Sequence, residues 1–233
     1  MKTDEKFDFT IENLGPCTIQ SPIKLSTVQG DYTANYVRDD SYVIANVNVY
    51  DASKPIVMDS SNLMEKAGPR EKIFFDPSHA KAGICTCGGL CPGLNDVIRA
   101  IVRCLNTRYG VKTIKGYQYG FRGFFADSGY EPLELDRYLI DEIHKIGGTY
   151  LGTSRGGGQR VAEIVDCIER DGINMLFILG GDGTQRGAYD IACEVEKRGL
   201  KCAVVGGHQA GYCGRHAGGP IPICISFSAS FKS

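Results

Sequence analysis

The sequence predicts an α/β protein built on a doubly wound, mainly parallel sheet, and three observations carry that expectation. From Lys81 onward, short apolar strands alternate with amphipathic helical stretches. Glycine-rich turns follow the strands. The run "INMLFIL" (173–179) shows no polar alternation, as expected of a strand covered on both faces.

Residues 1–80 are read as an N-terminal extension without helical period. Within it "SYVIANVNVY" (41–50) places Val43, Val47 and Val49 on one face, a strand pattern. Lys54-Pro55 and Gly68-Pro69 mark turns. "KAGICTC" (81–87) is a strand running into a glycine turn. In "LNDVIRAIVRCLNTRYG" (94–110), Leu94, Val97, Ile98, Ile101, Val102 and Leu105 recur at spacings of three and four, so they form one apolar helix face, closed by Gly110. "VKTIKGY" is the second strand, "LDRYLIDEIHKIGG" (135–148) a helix, and "TYLGTSRGGG" (149–158) a short strand entering a loop. "RVAEIVDCIERDG" is a helix with Val161, Ile164, Val165 and Ile168 on one side. After "INMLFIL" come the helix "GAYDIACEVEKRG" (187–199) and the last strand, "LKCAVV" (200–205). Residues 81–206 thus read as one α/β domain, and 207–233 as a tail.

Composition narrows the function classes. The chain has 233 residues, 42% hydrophobic and 23% charged, with a formal net charge of −1. It therefore offers no general electrostatic pull toward nucleic acid or an anionic membrane. No apolar run approaches the roughly 20 residues needed to span a bilayer. The acidic start "MKTDEKFDFTIENLGPC" is neither a secretory signal nor a transit peptide, so a cytoplasmic protein is expected. Ten cysteines are scattered and expected to be reduced. Cys85, Cys87 and Cys91 lack zinc-site spacing and are read as packing residues.

Three glycine loops, GGLCPGLN (88–95), SRGGG (154–158) and GGDGT (180–184), follow strands and so gather at one sheet edge. Glycine lets backbone N–H groups approach an anion, and a helix start beyond adds partial positive charge. None of the loops fits the dinucleotide or Walker A fingerprint, which disfavours hydride transfer and P-loop chemistry. Asp182, a carboxylate at a strand tip beside such amides, is a natural holder for Mg2+. Capping of the following helix is its alternative role.

These motifs in this order resemble the 6-phosphofructokinase family, closest to its long ATP-dependent branch of plants and some protists. The resemblance runs over residues 68–206 through "GGLCPGLN", "GYQYGFRGF", "LGTSRGG" and "LGGDGT". It implies the phosphofructokinase-like N-terminal nucleotide-binding domain, with ATP as phosphoryl donor, Mg2+ as cofactor and fructose 6-phosphate as acceptor in glycolysis. Carried over by position, Gly89 matches a backbone contact to ATP, and Arg155 and Gly156 match the second nucleotide-binding pair. Gly181, Asp182, Gly183 and Thr184 match the phosphate loop, with Asp182 on the metal. Gly183, where the pyrophosphate-dependent relatives carry aspartate, implies ATP. Arg155 is also a charge stabiliser for the transferred group, and Phe121 is either core or a liner of the adenine side. A homotetramer is implied for the family, less so for this chain.

The pattern breaks after Val205-Gly206. The family continues with a Pro-Lys-Thr-Ile-Asp-Asn-Asp type of segment bearing the catalytic aspartate, and then with a second domain that grips the acceptor. Here "GHQAGYCGRHAGGPIPICISFSASFKS" (207–233) stands instead, and no Asp or Glu follows Glu196. The expectation is a chain without the family's base and acceptor domain, inactive alone, whose tail is disordered and comes from a retained intron or shifted frame. His208 and His216 are the only groups there suited to act as a base near neutral pH, and rescue by either is not expected. An open sheet edge, marginal stability and aggregation are expected as well. Two other readings are a nucleotide-binding fragment that associates with full-length subunits, and an NAD or lipid kinase sharing GGDGT.

Overall fold

The computed structural model describes residues 9–11, 14–28, 30–31, 34–45, 53, 55–209 and 225–229. The chain divides between Phe74 and Phe75 into two compact units, ahead of the boundary read from sequence at 80/81. In the first unit, β1 (Ile19–Gln20) pairs antiparallel with β4 (Lys72–Ile73), and β2 (Tyr42–Ile44) with β3 (Leu63–Glu65). Of the strand expected over 41–50, residues 41–45 fall within the described residues and Tyr42–Ile44 of them form a strand; Val47 and Val49 lie outside them. Arg70 gathers the turns by donating to the carbonyls of Val37 (3.2 Å), Arg38 and Lys66 (2.9 Å).

The second unit holds a six-stranded sheet. Its strands are β5 (Lys81–Thr86), β6 (Thr113–Tyr117), β7 (Leu133–Glu134), β8 (Met175–Gly180), β9 (Ala203–Gln209) and β10 (Ile225–Ala229). Their spatial order is β10-β9-β8-β5-β6-β7, parallel from β9 to β6 and antiparallel at both edges. Strand order reverses between β5 and β8, because β5 leads to β6 on one side and β8 lies on the other. Such a switch point opens a crevice beyond the C-terminal strand ends.

Helix α1 (Leu94–Arg103) buries Leu94, Ile98, Ile101 and Val102. It continues through a π-helical turn, Cys104–Tyr109, and closes on Gly110 at φ 79°. That apolar face packs with Ile84, Ile114, Ile140, Ile143 and Leu151. On the other face α2 (Val161–Asp171) and α3 (Asp182–Lys197) pack Ile164, Ile168, Ile191 and Val195 with Cys85, Tyr117 and Ile178. Helices on both sides cover β8, which explains its lack of alternation.

Four local expectations are corrected. Residues 135–148 form turns and one short 3-10 turn (Ile143–Lys145) in place of a helix. Asp136 Oδ1 accepts from the N–H groups of Tyr138 (2.8 Å) and Leu139 (2.7 Å). The Asn95 amide of α1 donates to the carbonyls of Ile143 (3.0 Å) and Ile146 (2.9 Å). Side chains thus take up backbone groups that a helix would have paired. Residues 149–158 form no strand either. The carbonyls of Leu151 and Ser154 accept from Tyr119 N (2.9 Å) and Gly88 N (3.0 Å) of facing loops. Helix α3 begins at Asp182, not 187, because Gly181 O accepts from Thr184 N (2.9 Å) and Gln185 N (3.0 Å). The last parallel strand starts at Ala203, since Leu200 N and Cys202 N are taken up in turn bonds to Val195 O and Leu200 O, and it runs to Gln209.

Of the tail, residues 207–209 and 225–229 lie within the described residues. Residues 207–209 extend β9, and Ile225–Ala229 pairs antiparallel along it, from Ile225 opposite Gln209 to Ala229 opposite Val205. The edge of β9 expected to stand open is therefore occupied by the chain itself. A row of unpaired N–H and C=O groups is a ready template for any extended segment within reach.

Candidate active site

Three turns converge beyond the ends of β5 and β8 on a cleft of about 580 Å³. Its lining includes Gly89 from the first loop, Arg155 and Gly156 from the second, and Gly181, Asp182, Gly183 and Thr184 from the third. All seven residues expected to hold nucleotide or metal thus meet in one place.

The spacing of GGDGT now has a physical account. A Cβ on Gly180 would stand 2.3 Å from Thr184 Oγ1 and 2.6 Å from Thr184 Cβ, so only glycine lets the first turn of α3 fold back over the end of β8. Thr184 is buried there. A Cβ on Gly181 or Gly183, by contrast, meets nothing within 4 Å. These two glycines leave the mouth of the cleft open, and the start of α3 turns its unpaired N–H groups and positive dipole end to that space.

Asp182 is the first helical residue, and Gly181 holds the cap position, which argues against a capping role for its carboxylate. The side chain is 87% exposed, and its Oδ1 accepts a hydrogen bond from His208 Nε2 on β9 at 2.7 Å. Such an oxygen donor, open to the cleft beside helix-end amides, suits a hard divalent cation. Arg155 and Arg186 add positive charge and have no ion-pair partner among the described residues.

The second loop is fastened to the first. Thr86 Oγ1 donates to Gly152 O (2.6 Å), Thr153 Oγ1 to Gly88 O (2.9 Å) and Ser154 Oγ to Tyr119 O (2.6 Å). Arg155 and Gly156 follow directly on these anchors. Phe121 is both core and lining: it is buried, yet its ring faces the cleft wall, and a Cβ on Gly187 would stand 3.0 Å from it. Cys85 and Cys87 are buried with sulfurs 3.9 Å apart, and Cys91 is half-buried. The Cys87 contact and burial together raise the Cys85 thiol well above its ordinary range.

Sequence reasoning missed Cys87, Ser154, Gln159, Arg186 and Asp190 in the lining. A signal for two of them existed. With α3 begun at Asp182, residues 183, 186, 187 and 190 fall on one helix face by their spacing of three and four. His208, weighed as a base, lies instead against the carboxylate, and His216 lies outside the described residues.

Comparison with known proteins decides the family. The profile described as Phosphofructokinase matches residues 81–218, more than half of the chain. The chain belongs to the phosphofructokinase family. An ATP-dependent 6-phosphofructokinase of Borreliella burgdorferi is 47% identical over 203 residues, 87% of this chain and 44% of that protein. The chloroplastic ATP-dependent 6-phosphofructokinase 5 of Arabidopsis thaliana is 56% identical over 143 residues, 61% of this chain and 26% of its own. That of Trypanosoma cruzi is 48% identical over 144 residues, 62% of this chain and 30% of its own. This phosphofructokinase chain spans less than half the length of these relatives. The family match runs past Gly206 to residue 218, so the stretch just after 206, read as matching nothing in the family, is partly within it. A kinase sharing only GGDGT is thereby set aside. Among the described residues no helix is long and apolar enough to cross a membrane.

Proposed function

We propose that this chain is the nucleotide-binding part of an ATP-dependent 6-phosphofructokinase, and that its cleft takes Mg2+–ATP. The observation that supports this most directly is the exposed Asp182 carboxylate beside two glycines with open space, at the N-terminus of α3. Asp182 would hold the cation, which when bound supplies positive charge against the phosphate oxygens. Backbone N–H groups of Gly89, Gly156, Gly181 and Gly183 would lie against the phosphates, with Thr184 setting the turn. Arg155 would add charge for the transferred group. Gly183 leaves room that a second carboxylate would fill with negative charge, in keeping with ATP rather than pyrophosphate as donor.

The reaction assigned to the whole enzyme is phosphorylation of fructose 6-phosphate at its C1 hydroxyl, in glycolysis and in a cytoplasmic setting. In these residues no Asp or Glu follows Glu196 to accept the hydroxyl proton. The chain is therefore proposed to bind nucleotide without turning over fructose 6-phosphate by itself, and to do so as a partner of longer subunits. Calorimetry with ATP, with and without Mg2+, tests the binding. A coupled assay with fructose 6-phosphate tests turnover. Asp182→Asn should abolish the Mg2+ dependence of ATP affinity; if affinity and metal requirement both survive that change, the assignment is wrong.

A further inference from the structure

We propose that His208 is a built-in competitor for the cation site: its imidazole occupies the Asp182 oxygen that a divalent ion would take. This rests on the assignment of Asp182 to the cation. His208 Nε2 donates to Asp182 Oδ1 at 2.7 Å, since an ionised carboxylate can only accept. A magnesium ion binds a carboxylate oxygen at about 2.0–2.1 Å. On that same side of Oδ1 the ion and the ring nitrogen would overlap, so one must leave.

The fold delivers the imidazole to this place. His208 lies opposite Gly180 in the β8–β9 ladder and opposite Ser226 in the β9–β10 ladder. Gln185 Nε2 bonds the carbonyls of Gly180 and Gly207, both at 3.2 Å, and so ties the ends of the two strands to α3. The backbone on each side of His208 is thereby fixed, and the ring needs only its own rotamer to reach the carboxylate. The side chain is 34% exposed, so it has solvent to swing into when displaced. The same strand end that closes the sheet therefore holds the cation oxygen in a hydrogen bond.

The test compares ATP affinity of the full chain, with Mg2+ and in EDTA, across the unaltered protein, His208→Ala and Asp182→Asn. The competitor role predicts that His208→Ala tightens Mg2+–ATP binding about two- to tenfold, the worth of one partly exposed hydrogen bond or ion pair. Affinity for ATP in EDTA stays unchanged, which a merely structural change would not allow. Equal Mg2+–ATP affinity in the two chains overturns the proposal, because the ion then uses the other oxygen. Weaker binding by His208→Ala also overturns it, since the imidazole is then a ligand. Persistence of the Mg2+ effect in Asp182→Asn refutes the underlying cation assignment instead. If His208→Ala does not fold, the His208 imidazole resonances of the unaltered chain decide: saturating Mg2+ and ATP must shift them, and unmoved resonances reject displacement.

Discussion

Asn95 closes the GGLCPGLN motif and is buried in the first turns of α1. Its amide donates to Ile143 O and Ile146 O at 3.0 and 2.9 Å, and its Oδ1 accepts from Tyr150 N at 2.6 Å. One side chain therefore organises the turns that replace the expected helix and lead into Thr153, Ser154 and Arg155. Asn95→Ala removes three hydrogen bonds, each worth about 1 kcal/mol net, so the loss is about 3 kcal/mol. For a chain of this size that lowers the melting midpoint by roughly 6–12 °C. Asn95→Asp keeps the acceptor for Tyr150 but turns a carboxylate toward two carbonyls, so it should be at least as damaging. Urea unfolding followed by circular dichroism gives both differences, and calorimetry should show weaker ATP binding as the second loop loosens. A loss below about 1 kcal/mol for Asn95→Ala, or an Asn95→Asp variant as stable as the parent, would refute the view that this side chain replaces helical pairing.

Gly183→Asp separates binding from folding. Replacing a helical glycine by an acid in a first turn should raise stability by about 0.5 kcal/mol, while Mg2+–ATP affinity falls at least about tenfold from charge repulsion; thermal melts and calorimetry read the two, and unchanged affinity would contradict the donor assignment. Asp171 gives a pH test. Burial opposes its charge, but the Tyr117 hydroxyl (2.9 Å), Lys115 (3.2 Å) and Arg170 (3.2 Å) outweigh it and hold its carboxyl below the usual range. A lowered folded-state value means stability that is complete above about pH 4 and is lost as pH falls through the lowered value. Asp171→Asn should therefore flatten the acid limb of stability against pH, and an unchanged limb would remove this carboxylate from the account.

Much of the second unit was legible along the chain because its signals are local. The three- and four-residue spacing from Leu94 to Leu105 marks a helix wherever it packs, and Gly110 and Gly172 end helices because each can take positive φ without a Cβ penalty. Glycines at strand ends marked the phosphate-type turns, and the order of these motifs pointed to the family. The segments 135–158 were misread because their apolar residues mimic a period while their backbone is claimed by partners far away in sequence, Asn95, Gly88 and Tyr119. Only tertiary structure could show that Thr184 folds onto Gly180 and that β10 closes the edge of β9. It alone brought His208 to Asp182, 26 residues apart in the chain and 2.7 Å apart in space. Periodicity and turn chemistry are properties of neighbours in sequence, whereas a cleft is made by the ladder register that sets separate strand ends side by side.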